Sequence, residues 1–135
     1  MMKGKKINNM NVDLHWNEDH TAYAVLVSYG FGAGWSTWNE WPELAYDKRV
    51  VEWFMFNIAG NSDKWCEALH SSKENEYEAA ALEFLHSIGY KGYICLLGLA
   101  DCEIEWIYSG ESWRIEEYDG AEMLKRHKDY NWNCF

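Results

Sequence analysis

At Gly89 the period of the apolar residues changes, and this change limits the possible folds more than any other feature. Before it, Tyr77, Ala80, Ala81, Phe84, Leu85 and Ile88 recur at the spacing of one helix face. After it, GYICLLGL is an unbroken apolar run, the mark of a strand buried on both faces. CEIEWIYSG and SWRIEEYDG then alternate. Ile104, Trp106 and Tyr108 oppose Glu103 and Glu105, and Trp113 and Ile115 oppose Arg114 and Glu116. The intervening SGES predicts a turn that makes these two segments a hairpin, with Glu105 as a cross-strand partner for Arg114. Asp119-Gly120 is a second turn signal, and AEMLKRHKDY suits either a strand or a short helix.

The first half adds a strand and a helix. TAYAVLVSYG is short, rich in Val, Tyr and Leu, and stopped by Gly30. In EWPELAYDKRVVEWFMFNIAG, Val50, Val51, Phe54 and Ile58 fall at helical spacing. Asn39 is the predicted cap, Pro42 lies in the first turn, and Gly60 suits the exit. Ser71 or Ser72 opens the later helix and Gly89 stops it, while NSDKWCEALHSSK fits a short helix or a loop. The expectation is one α+β domain over residues 21–135. It has a mostly antiparallel sheet, with two helices, or three, packed on one face. Residues 1–20, basic and then polar, read as a flexible extension.

Charge and ring content narrow the partners. The formal charge is −10, with 22 acidic residues against 12 basic, so the footprint needed to bind a phosphate backbone directly is missing. An acidic surface suits a basic protein groove instead. Its candidate residues are Glu103, Glu105, Glu116, Glu117 and Asp119. Nine Trp and nine Tyr are more large rings than a small domain hides completely. The block Trp53, Phe54, Met55 and Phe56 suits core packing, with one side open to a homodimer or another protein. No apolar run approaches the ~20 residues of a membrane span, and no signal-peptide core is present, which predicts a cytosolic protein without a membrane partner.

The stretch YGFGAGWSTWN, residues 29–39, joins the first strand to the following helix. A turn of this kind presents backbone N–H groups to an anion, Ser36 and Thr37 add hydroxyls, and Trp35 or Trp38 offers a stacking face. Arg114 would add a guanidinium if the sheet brings it alongside. A nucleotide-like small molecule is the ligand class such a site suits. The competing role is structural, with glycines that let the tryptophans pack closely on the sheet. The pattern is neither a P-loop nor a dinucleotide fingerprint, and G-W-S-T-W lacks the last glycine of a nucleophile elbow. No nucleophile–base–orienter set is legible, so no catalytic residue and no cofactor is expected, and an enzyme acting on a small molecule stands as the second alternative. Cys66 and His70 stand four apart, but a zinc site wants two such pairs. Cys66, Cys95, Cys102 and Cys134 follow no disulfide pattern and read as free thiols.

YGFGAGWSTWN and EIEWIYSGESWRIEEYDGAE together resemble a family of small bacteriophage and prophage proteins. The family carries a glycine turn followed by W-S-T-W near its start and an acidic R-I-x-E-Y-D-G-x-E segment near its end. The match covers about Tyr29 to Asn39 and Glu103 to Glu122. Trp113 stands where the family pattern has Phe, and MLKRHKDYNWNCF departs from a more acidic ending. The resemblance implies phage origin and carries no catalytic residues. By analogy with phage accessory proteins of this size, it implies a bacterial host protein as partner and inhibition of a host defence system.

Overall fold

The computed structural model describes residues 12–30 and 32–126. The chain runs through β1 (Ala22–Ser28), α1 (Lys48–Asn57), α2 (Ser62–Leu69), α3 (Glu76–Ser87), β2 (Cys102–Tyr108), β3 (Trp113–Tyr118) and β4 (Ala121–Arg126). Short 3-10 turns lie at Ser36–Trp38, Pro42–Ala45 and Leu99–Asp101. This is an α+β fold with antiparallel strands, in two two-stranded sheets and not one.

The pairing differs from the predicted hairpin. β2 pairs with β1, with Ala22 opposite Tyr108 and Ser28 opposite Cys102. β3 pairs with β4, with Trp113 opposite Arg126 and Tyr118 opposite Ala121. The hairpin forms at Asp119-Gly120 because both residues take positive φ, 56° and 90°, as a tight two-residue hairpin turn requires. The SGES segment instead carries the chain from one sheet to the other. AEMLKR is therefore a strand, while the rest of that predicted segment lies outside the described residues, as do Phe31, His127 and Cys134.

The sheet β1–β2 is the middle of three layers. Ala24, Leu26, Cys102 and Ile104 face a core with Val50, Val51 and Phe54 of α1, Trp65 and Leu69 of α2, and Ala81 and Leu85 of α3. Val25, Val27 and Ile107 face the other way, onto Trp113, Ile115 and Leu124 of the hairpin. All three helices thus pack on one face of this sheet. In β2 the faces are as expected, with Ile104, Trp106 and Tyr108 opposite Glu103 and Glu105, but Ile107 on the acidic face is buried while Trp106 and Tyr108 are exposed.

The helix starts also differ. Asp47 caps α1, accepting from the Arg49 amide at 2.9 Å, and Asn75 caps α3, accepting from the Glu78 amide at 3.0 Å. Asn39 does other work. Its amide accepts from Cys95 N–H at 2.8 Å and donates to Cys95 C=O at 3.0 Å, taking the place of a neighbouring strand. Residues 90–98 are consequently an irregular segment, exposed at 91–93 and largely buried over 94–98, and not the predicted strand. Side chains satisfy its backbone where a ladder would have done so.

Ordered structure begins ahead of residue 21. The amide of Ala24 donates to His15 C=O at 3.0 Å, and that of Lys48 to Asp13 C=O at 2.8 Å. Residues 1–11 of the predicted extension lie outside the described residues.

Candidate functional site

The glycine turn, the β3–β4 turn and the start of β2 meet at one end of the molecule. Ser28, the last residue of β1, is paired with Cys102 at the start of β2. From Ser28 the chain enters the turn, where the Gly32 amide donates to Asp119 C=O at 3.1 Å. Trp38 closes the turn by donating its indole N–H to Glu117 Oε2 at 3.1 Å.

Glu122 holds this end together. Its side chain is buried, and Oε2 accepts from the Trp35 amide at 2.7 Å, the Thr37 amide at 3.1 Å and the Thr37 hydroxyl at 2.6 Å. Oε1 accepts from the Ser28 amide at 2.9 Å. The donors of the turn do converge on an anion, and that anion is the chain's own carboxylate. Four donors on one buried carboxylate form a charge-assisted cluster that balances its desolvation.

Close backbone approach makes room for this clasp. A Cβ on Gly98 would stand 2.6 Å from the backbone carbonyl of Gly34. One on Gly120 would stand 2.6 Å from the carbonyl carbon of Gly32. The glycines therefore serve contact between main chains.

The predicted site residues separate into distinct roles. Trp35 is fully buried and donates its indole N–H to Leu44 C=O at 2.9 Å. Ser36 is buried, Thr37 is half-buried on Glu122, and Trp38 is 40% exposed. Arg114 is on the outer face of the hairpin, because strand alternation sets it opposite in sense to Glu117 and Glu122. There it pairs with Glu116 at 2.6 Å, and both lie away from the turn. The predicted Arg114–Glu105 contact is replaced by Arg126, 3.9 Å from Glu105 and 2.9 Å from Glu111.

The acidic residues divide in the same way. Glu103, Glu117 and Asp119 are exposed at the turn end, and Glu105 is half-buried beside them. Glu105 accepts from the Tyr29 hydroxyl at 2.5 Å, and burial together with this carboxylate pushes the Tyr29 phenol well above its ordinary pKa. Glu117 is held below the usual carboxylate range by the Gly120 amide at 2.7 Å and then by the Trp38 indole. Two exposed rings stand among these acids, Tyr29 (38%) on Glu105 and Trp38 on Glu117, while Tyr118 is on the outer face of the hairpin with Arg114 and Glu116.

Sequence reasoning missed two buried acids besides Glu122. Asp47 accepts from the Arg49 guanidinium at 2.7 Å and the Tyr90 hydroxyl at 2.7 Å, locking the start of α1 to the segment after α3. Glu43 is fully buried in the Pro42–Ala45 turn, and neither carboxylate oxygen has a hydrogen-bond partner among the described residues. Burial, and then the nearby Asp47 charge, raise its pKa. Among the described residues no group of three or more His, Cys, Asp or Glu side chains is placed to hold a metal. No described helix is long and apolar enough to cross a membrane.

No family model matches the chain, and searches of curated proteins and of solved structures likewise find no match.

Proposed function

We propose that the protein is a phage-encoded, non-enzymatic binding module that docks a basic surface of a bacterial host protein and thereby blocks a defence system. The observation that carries the docking reading is the composition of the turn end. Tyr29 and Trp38 are exposed there among Glu103, Glu105, Glu117 and Asp119, on backbone that Glu122 holds fixed. Fixed aromatic anchors ringed by charge are what a protein interface uses for affinity and for steering. The net charge of −10 favours a basic partner over an acidic one. Phage origin and the defence role rest on the resemblance of the two motifs.

A small anionic ligand in the glycine turn would have to displace Glu122 from four donors, so association through the protein surface is the better-supported reading. The test is capture of the partner from bacterial lysate by the native protein and by a Glu103→Lys/Asp119→Asn variant. Among the described residues neither side chain has a hydrogen bond or ion pair, and Asn accepts the left-handed backbone at 119. The expected result is a basic protein retained by the native chain and lost from the variant.

A further inference from the structure

The outer edge of β2 has a run of unpaired backbone groups. On β1, the Ala24 amide points to His15 and the Ser28 amide to Glu122, both away from β2. The β1–β2 ladder bonds therefore belong to the pairs Tyr23–Ile107, Val25–Glu105 and Val27–Glu103. By the same alternation, Cys102, Ile104, Trp106 and Tyr108 turn their N–H and C=O groups outward.

Both ends of that edge are closed. The Cys102 amide donates to Leu99 C=O. At the other end the Tyr108 amide donates to Glu111 at 2.9 Å, Tyr108 C=O accepts from the Glu111 amide at 2.9 Å, and Trp106 C=O accepts from Arg126 at 2.7 Å. The Arg126–Glu111 ion pair thus stoppers the edge. Between the stoppers, Cys102 C=O, Ile104 N–H, Ile104 C=O and Trp106 N–H have no partner among the described residues. Native proteins shorten and plug sheet edges in this way, and the gap left open here matches one short added strand.

The geometry points to this gap as the place where an extended segment of the basic partner joins the sheet as a third strand. This inference rests on the docking reading above. Charge selects the occupant. Any two-fold antiparallel pairing of this edge with a second copy of β2 sets Glu103 or Glu105 opposite itself or the other, a destabilising like-charge arrangement. A segment alternating lysine or arginine with apolar residues meets Glu103 and Glu105 on one face and Cys102 and Ile104 on the other. Main-chain bonds give the affinity and the alternation gives the selection.

The probe is a short peptide alternating lysine and valine, titrated into the full chain by calorimetry. Matched peptides carry N-methyl groups on alternate backbone nitrogens, in both phases. Amide hydrogen exchange is followed at Ile104 and Trp106. The lysine–valine peptide binds, one of the two N-methyl phases loses at least about ten-fold in affinity, and both amides exchange fast in the free protein and slowly in the complex. Equal binding by both N-methylated peptides overturns the strand-addition inference while leaving charge-driven docking intact. No binding by the lysine–valine peptide, or amides already protected in the free protein, also overturns it. Failure of the lysate capture, by contrast, removes the docking reading itself.

Discussion

The Glu122 carboxylate accepts a 2.7 Å hydrogen bond from the Trp35 amide, across 87 positions of sequence. This contact ties the β3–β4 hairpin to the glycine turn and makes the turn a product of the tertiary fold. Glu122→Gln keeps one oxygen but turns the other into a donor facing donors, and should cost about 1–3 kcal/mol. Glu122→Ala strands buried N–H groups without a partner and should cost more, about 3–5 kcal/mol. Urea unfolding measures both. Equal stability of Glu122→Ala and the native chain would contradict the role given to the carboxylate.

Gly98 and Gly92 make a paired test of backbone approach. At Gly98 an added Cβ runs into the Gly34 carbonyl, whereas at Gly92 it meets open space but sits at φ 83°. Gly92→Ala should lose only the left-handed strain, about 1–2 kcal/mol. Gly98→Ala must move main chain, so it should lose more and perturb the amide resonances of residues 32–38.

Glu43 gives the fold a pH dependence of known sign. Its folded pKa is raised by burial, so the native state binds a proton more strongly than the unfolded chain. The resulting stability is fully present below the ordinary glutamate pKa and is lost as pH rises through the folded value. The slope is at most about 1.4 kcal/mol per pH unit. Glu43→Gln should remove this slope and be the more stable protein at neutral pH. Parallel denaturation curves for the two proteins at every pH would contradict the assignment.

Much of this architecture was legible in the sequence. The helical period from Tyr77 to Ile88 gave α3, β1 was readable in TAYAVLVS, and Asp119-Gly120 marked a tight turn. The partners of the strands were not legible, because β2 and β3 alternate equally well in a shared hairpin or in two layers. The apolar run around Cys95 reads as a strand unless one knows that the Asn39 side chain supplies its bonds.

The site divided along the same line. The turn was readable as an anion cradle from its glycines, Ser36 and Thr37. Its occupant was hidden because AEMLKR suits strand or helix, and only a strand puts Glu122 on the inward face with Leu124. Whether Arg114 reaches the turn was hidden for a related reason, since its position depends on which side of the hairpin meets β1.

Trp38 separates an interface role from a packing role. Its indole bonds Glu117 while 40% of the residue remains exposed. Trp38→Ala should cost about 1 kcal/mol for the hydrogen bond and about 2–3 kcal/mol for the buried part of the ring, whereas Trp38→Phe should cost about 1 kcal/mol. As loss of an interface anchor, Trp38→Ala should cost about 2 kcal/mol or more in partner affinity. Thermal melts and titration of the captured partner check the two quantities side by side.

The most direct test of the account is native mass spectrometry of complexes captured from bacterial lysate, with the native chain and the Glu103→Lys/Asp119→Asn variant compared. The account predicts a one-to-one complex with a basic protein on the native chain, dissociated by raised salt and absent from a folded variant. A small-molecule adduct on both chains, or the same protein retained equally by both, would contradict docking at the acidic turn end.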